Sequence, residues 1–201
     1  MKKPLKLGCV VMAAGNARRF GENKLAAQLR GRSLILRTLE TVPPEVFENV
    51  VVVTQYPEIM RLAGEFRFSA VYNEHPDYGI SHTIELGLTA LRDCDGVCFL
   101  VSDQPLLRRE SVAALARCWK ESPDKLAALG HGGVRGNPCI FPARFYQELL
   151  ELREDHGGST VIRRHEAELR LLEVPEEELA DVDTAEAMRD LREKAGERGR
   201  T

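Results

Sequence analysis

The chain has 201 residues, 43% hydrophobic and 29% charged, which is enough to bury one core and predicts a single globular domain. Its 28 Lys and Arg are outnumbered by 31 Asp and Glu, for a formal net charge of -3, so an electrostatic nucleic-acid footprint is excluded and any anion site must be local. No apolar run is long enough for a membrane span. The five cysteines (Cys9, Cys94, Cys98, Cys118, Cys139) form no CxxC pair, which argues against a disulfide framework or a structural zinc and for a cytoplasmic protein.

The N-terminal "MKKPLKLGCVVMAAG" has a basic start, but its apolar run is too short for a signal peptide and reads as a first strand over 7–14. Further β-branched runs at 49–54, 68–72 and 96–102 predict buried strands. Cys98, inside "GVCFLV", reads as a small buried hydrophobe, and none of the five thiols is expected to be catalytic. Helical periodicity is clearest over 109–119, where Val112, Leu115, Ala116 and Trp119 share a face, and recurs over 80–91 with Ile84, Leu88 and Leu91.

Beyond about residue 124 the regularity drops. "GHGGVRGNP" (130–138) and "EDHGGS" (154–159) are glycine-dense, as where backbone turns tightly or approaches a ligand. "PCIFP" predicts a strand, "ARFYQELLELR" a helix, "ELRLLEV" a late strand and "DTAEAMRDL" the start of a last helix. The alternation of strand and helix predicts an α/β, Rossmann-like domain over 1–192, with a mostly parallel sheet and helices on both faces. A polar tail over 193–201 is expected to be disordered or loosely helical.

In open α/β sheets ligands bind beyond the carboxyl ends of the strands, which selects three segments: 14–24, 73–83 and "SDQP" (102–105). The first, "AGNARRFGENK", is neither a Walker A sequence nor GxGxxG. Its glycines and cations nevertheless suit a triphosphate, because successive backbone N–H groups form an anion-binding concavity. Asp103 ends a strand too apolar to expose a carboxylate by chance, which suits a magnesium ligand; the plainer role is a turn former beside Pro105. Asp183 has two readings from the residues alone, a helix N-cap with Glu186 reaching back or a second metal ligand, with Asp181 in reserve.

"MAAGNARRFGENK" resembles the LAAGxxxRxGxxK signature of the MobA-like nucleotidyltransferases. The likeness continues through "SDQP", "YGISHTIELGL", "RGNPCIFP", "EDHGGSTVI" and "DVDTAEAM", and so covers nearly the whole chain in order. It implies the nucleotide-diphospho-sugar transferase type of α/β fold. Within the family the motifs are most similar to the cytidylyl group, which implies transfer from CTP to molybdopterin, or to molybdopterin already carrying molybdenum, with Mg²⁺ as cofactor. Guanylyl relatives tend to read AGG where this chain reads "AAG", and Ala14 leaves less room than glycine. GTP in place of CTP is the alternative within the family. A non-catalytic accessory protein carrying cofactor to a molybdenum hydroxylase apoenzyme is the alternative from another class. It would be marked by loss of Lys24 or Asp103, and both are present.

The resemblance also implies site residues. Arg19, Lys24 and Asp103 are catalytic; Ala13, Ala14, Gly15, Arg19, Lys24, Asn73, Gly79 and Ser81 bind the nucleotide; Asp103 and Asp183 hold metal. Arg18 falls at a variable position of the motif. Ser81 can equally be the N-cap of the helix that follows it. "ISHT" places His82 within a stretch that is serine-rich in the cytidylyl group. On the acceptor side stand His131, His156 and Asn137, the last where relatives often carry histidine, which suggests binding in place of titration.

Overall fold

The computed structural model describes residues 4–15 and 24–194. Strand β1 (Leu7–Ala13) is buried on both faces: Leu7, Cys9, Val11 and Ala13 enter one core, and Val10 enters the other. A small hairpin of β2 (Gln28–Leu29) and β3 (Arg32–Ser33) leads into helix α1 (Leu34–Thr41), whose N-cap Ser33 accepts the Leu36 N–H at 3.3 Å. Then come β4 (Asn49–Thr54), α2 (Pro57–Glu65), β5 (Ser69–Tyr72), α3 (Ile80–Ala90), β6 (Gly96–Val101) and α4 (Arg109–Glu121). Proline at the first position of α2 forgoes an N–H that would have no intrahelical partner there.

The second half adds β7 (Leu126–His131), β8 (Val134–Pro142), α5 (Tyr146–Leu150), α6 (Ser159–Arg164), β9 (Leu169–Glu173) and α7 (Ala185–Lys194). Seven strands form one sheet in the order β5-β4-β1-β6-β8-β7-β9, with β8 antiparallel to both neighbours and the other pairings parallel. Helices α1, α2 and α4 pack Leu39, Ile59, Ala63, Leu115 and Trp119 on one face. On the other, α3, α5 and α6 pack Ile84, Leu88, Leu149, Val161 and Ile162. The mostly parallel sheet with helices on both faces is the one expected from the sequence. Trp119 is fully buried, and its truncation to alanine would cost about 3–5 kcal/mol.

Of the two readings of the glycine-dense residues 130–138 the tight turn holds: β7 and β8 form a hairpin across them, with His131 paired to Val134. Gly132 and Gly133 take φ of 57° and 78° at its tip, where two consecutive left-handed residues match the twist of the strands. One expectation needs correction: the helix expected over 143–153 shrinks to α5, with a 3-10 turn over Ala143–Phe145 before it; α7 extends through Lys194.

Parallel register brings the strand ends to one edge. Ala13 pairs with Thr54, and Met12 with Val101. The chain runs from β1 to β4 and β5 on one side, then returns to β6 on the other. The crevice above β1 is therefore where strand order reverses.

Candidate active site

At the exit of β1 three consecutive carbonyls are anchored on the end of β4. Thr54 Oγ1 donates to Ala13 O at 2.9 Å, Gln55 Nε2 to Ala14 O at 2.9 Å, and Tyr56 Oη to Gly15 O at 3.4 Å. Ala13 and Ala14 are buried and Gly15 is exposed. Arg18 and Arg19 lie outside the described residues, as does the rest of 16–23. The chain is described again at Lys24, which opens a short 3-10 turn over Lys24–Ala26.

Lys24 Nζ donates to Asp103 Oδ2 at 3.0 Å and to Asp183 Oδ1 at 3.1 Å. Its side chain is 15% exposed, and those of Asp103 and Asp183 are 26% and 64%. Burial alone would lower the ammonium pKa, but Asp103 and then Asp183 outweigh it and hold Lys24 above its usual value. Partial burial, then the charges of Asp103 and Asp183, push the Asp181 carboxyl up to about 6, against the opposing influence of Gln104 and Lys24. One cation thus gathers carboxylates from β6 and from the segment before α7.

The helix-cap reading of Asp183 does not hold. Helix α7 starts at Ala185, and Thr184 is its cap, accepting the Ala187 N–H on Oγ1 at 3.1 Å. Asp183 is thereby left to face Lys24. The cap reading of Ser81 fails in the same way. Gly79 caps α3, and Ser81 lies in the first turn, buried, with its N–H donated to Glu154 O at 3.0 Å.

Asn73 is 1% exposed and engaged inside the fold, its Oδ1 accepting the His75 N–H and its amide donating to Thr83 Oγ1 at 3.4 Å. Gly79 has φ of 84°, and a Cβ there would come within 2.4 Å of the Glu154 backbone. His82 is paired with Glu85 at 3.2 Å. On the acceptor side, His131 ends β7, with Nδ1 2.9 Å from Val174 O. Asn137 lies in β8, its Oδ1 accepting from Cys139 Sγ at 3.6 Å, and His156 is exposed between α5 and α6. The structure therefore brings Lys24, Asp103 and Asp183 into direct contact, and none of the three acceptor-side residues bonds to that trio.

Sequence reasoning missed Thr54, Gln55 and Tyr56, which only β1–β4 register reveals, and Glu178, hidden in the glutamate run "EEE" over 176–178. Among the described residues no group of three or more His, Cys, Asp or Glu side chains is placed to hold a metal ion. The pair of Asp103 and Asp183 still fits a hard divalent cation, since carboxylates from two segments converge on one position already held by positive charge. No helix among the described residues is long and apolar enough to cross a membrane.

A mostly parallel sheet with a lysine–carboxylate cluster at its topological switch point belongs to the nucleotide-binding α/β class. The profile of the MobA-like NTP transferase domain matches residues 9–169, and the chain belongs to that family. It is 26% identical over 199 residues to the purine catabolism protein PucB of Bacillus subtilis (strain 168), covering 92% of this chain and 95% of the relative. It is 30% identical over 139 residues to a molybdenum cofactor guanylyltransferase of Shewanella sp. (strain MR-4), covering 68% of each. The fold matches that of Rv0371C from Mycobacterium tuberculosis H37Rv, solved in complex with manganese. Its TM-score is 0.70 at 21% identity, with 94% of this chain and 98% of that one covered.

Proposed function

We propose that this nucleotidyltransferase moves the cytidylyl group of CTP onto the terminal phosphate of molybdopterin, releasing pyrophosphate. The observation that carries the reading is the cluster of Lys24, Asp103 and Asp183 at the carboxyl edge of β1 and β6. A phosphate oxygen of the acceptor attacks the α-phosphorus of the nucleotide. The bond from that phosphorus to the α,β-bridging oxygen breaks, and pyrophosphate leaves with the electron pair. The attacking monoester, with a second pKa near ~6, is largely ionised at neutral pH, so no general base is required.

What the chain must supply is alignment and positive charge. Lys24 is poised for this, being desolvated and fully charged. Arg19 is assigned to the triphosphate with it, and Ala13, Ala14 and Gly15 to the cradle at the strand end. Asn73 and Ser81, both buried, and Gly79 shape the wall beside the base. Asn137, His131 and His156 are assigned to the acceptor. A Mg²⁺ held by Asp103 and Asp183 would neutralise charge on the phosphates when bound. The manganese in the Rv0371C complex supports a divalent cation in this fold.

CTP is favoured because the first turn reads "AAG" where guanylyl relatives tend to read AGG, and Ala14, its carbonyl held by Gln55 at 2.9 Å, leaves less room than glycine. A guanylyl reading is favoured instead by the relative named for that activity. Thermal-shift titration with CTP, GTP, ATP and UTP in Mg²⁺ separates the two. A rise in melting temperature largest for CTP, together with CTP-dependent pyrophosphate release on adding molybdopterin, is expected. A rise confined to GTP would overturn the cytidylyl assignment and leave the family intact.

A further inference from the structure

Glu178 is 1% exposed, although its neighbours Glu176 and Glu177 are exposed. A carboxylate is buried that deeply only when it is paired. Its Oε2 accepts the backbone N–H of Arg108 at 3.1 Å, and its Oε1 lies 3.5 Å from Arg108 Nε. Two more links join the same pair of segments. Gln104 Nε2 donates to Leu179 O at 3.1 Å, and Val182 N donates to Asp103 O at 2.8 Å. The three links run antiparallel, pairing 103 with 182, 104 with 179 and 108 with 178.

Residues 180–183 belong to no helix or strand, so sheet register does not place Asp183. We propose that Glu178 is a positioning residue that locks the 178–183 segment onto the 103–108 segment and so sets the spacing at which Asp183 and Asp103 receive a divalent cation. It touches neither substrate nor the reacting atoms and acts through Asp183. Partners that orient metal ligands typically change metal affinity 10–100-fold when removed. The inference rests on the reading of Asp103 and Asp183 as the cation pair.

The test is Mn²⁺ binding measured by electron paramagnetic resonance in the presence of saturating CTP, on protein shown to be folded by circular dichroism at the assay temperature. Glu178→Ala is expected to weaken Mn²⁺ binding about 10-fold. Glu178→Gln, whose amide oxygen still accepts the Arg108 N–H, should stay within about 3-fold of the parent. If Glu178→Ala melts earlier but binds Mn²⁺ as tightly as the parent, Glu178 serves stability alone and the proposal is overturned. Equal weakening by the Gln variant would overturn the tether. Should Glu178→Ala not fold, Gln104→Ala removes the adjacent link and is expected to weaken Mn²⁺ in the same direction; no change there would count against the proposal. Absence of Mn²⁺ binding by the parent would instead overturn the metal reading itself, and the role of Glu178 with it.

Discussion

The two carboxylates that meet Lys24 reach it by different means. Asp103 follows β6, whose register against β1 is fixed by a strand buried nearly throughout. Asp183 arrives on an irregular segment held by a handful of side-chain and backbone links, with Val182 and Met188 in a small satellite cluster beside Leu29 and Leu34. One carboxylate is placed by the core and the other by tethers. Substitutions on the two sides should therefore fail differently.

The largest effect is expected at their shared partner. Lys24→Met should slow pyrophosphate release about 100- to 1000-fold, the usual loss when a positioned charge at a reacting phosphate is removed. It also removes the ammonium that contends for both carboxylates, so Mn²⁺ should bind the nucleotide-free variant more tightly than the parent, as calorimetry can measure. Weaker Mn²⁺ binding would show that Lys24 supports the cation site in place of competing for it.

Gly79 packs the segment that opens α3 against the Glu154 backbone. Gly79→Ala forces a left-handed alanine with its Cβ 2.4 Å from the Glu154 backbone. A melting-temperature drop of about 5–10 °C is expected in differential scanning calorimetry. An unchanged melting temperature would mean that this junction yields easily.

Neighbouring residues before α7 separate capping from chemistry. Thr184→Ala should cost about 1 kcal/mol, or roughly 2–4 °C, with turnover intact. Asp183→Asn should do the reverse, and thermal melts beside turnover rates distinguish them. Smallest of all is thiol access. Cys9, Cys94, Cys98 and Cys139 are buried, and burial pushes Cys139 up to about 11, so a maleimide should label Cys118 alone on the folded protein.

The contrast also explains what was legible in the sequence. β1, β4 and β6 are nearly continuous apolar runs because both of their faces are covered, and such runs announce themselves. β7, "LAALGH", looks helical in composition and becomes a strand through its pairing with β8 and β9, which no local pattern encodes. Asp103 was legible because an apolar strand ends beside it. Asp183 was ambiguous because "DTAE" satisfies the local grammar of a cap, and only the start of α7 at Ala185 gives that role to Thr184. Glu178 was invisible, since a glutamate run reads as solvated and its burial depends on Arg108, 70 residues away. Arg19, the motif arginine, lies outside the described residues, and its assignment rests on the motif.

The central claim is that carboxylates from both sides of the crevice serve one transfer reaction. It is tested most directly by the rate of pyrophosphate release from CTP with molybdopterin as acceptor, measured for the parent, Asp103→Asn and Asp183→Asn over rising Mg²⁺. Both variants should fall by about 100-fold or more at low Mg²⁺ and recover in part as Mg²⁺ rises. An Asp183→Asn enzyme that matches the parent at every Mg²⁺ concentration would contradict the claim.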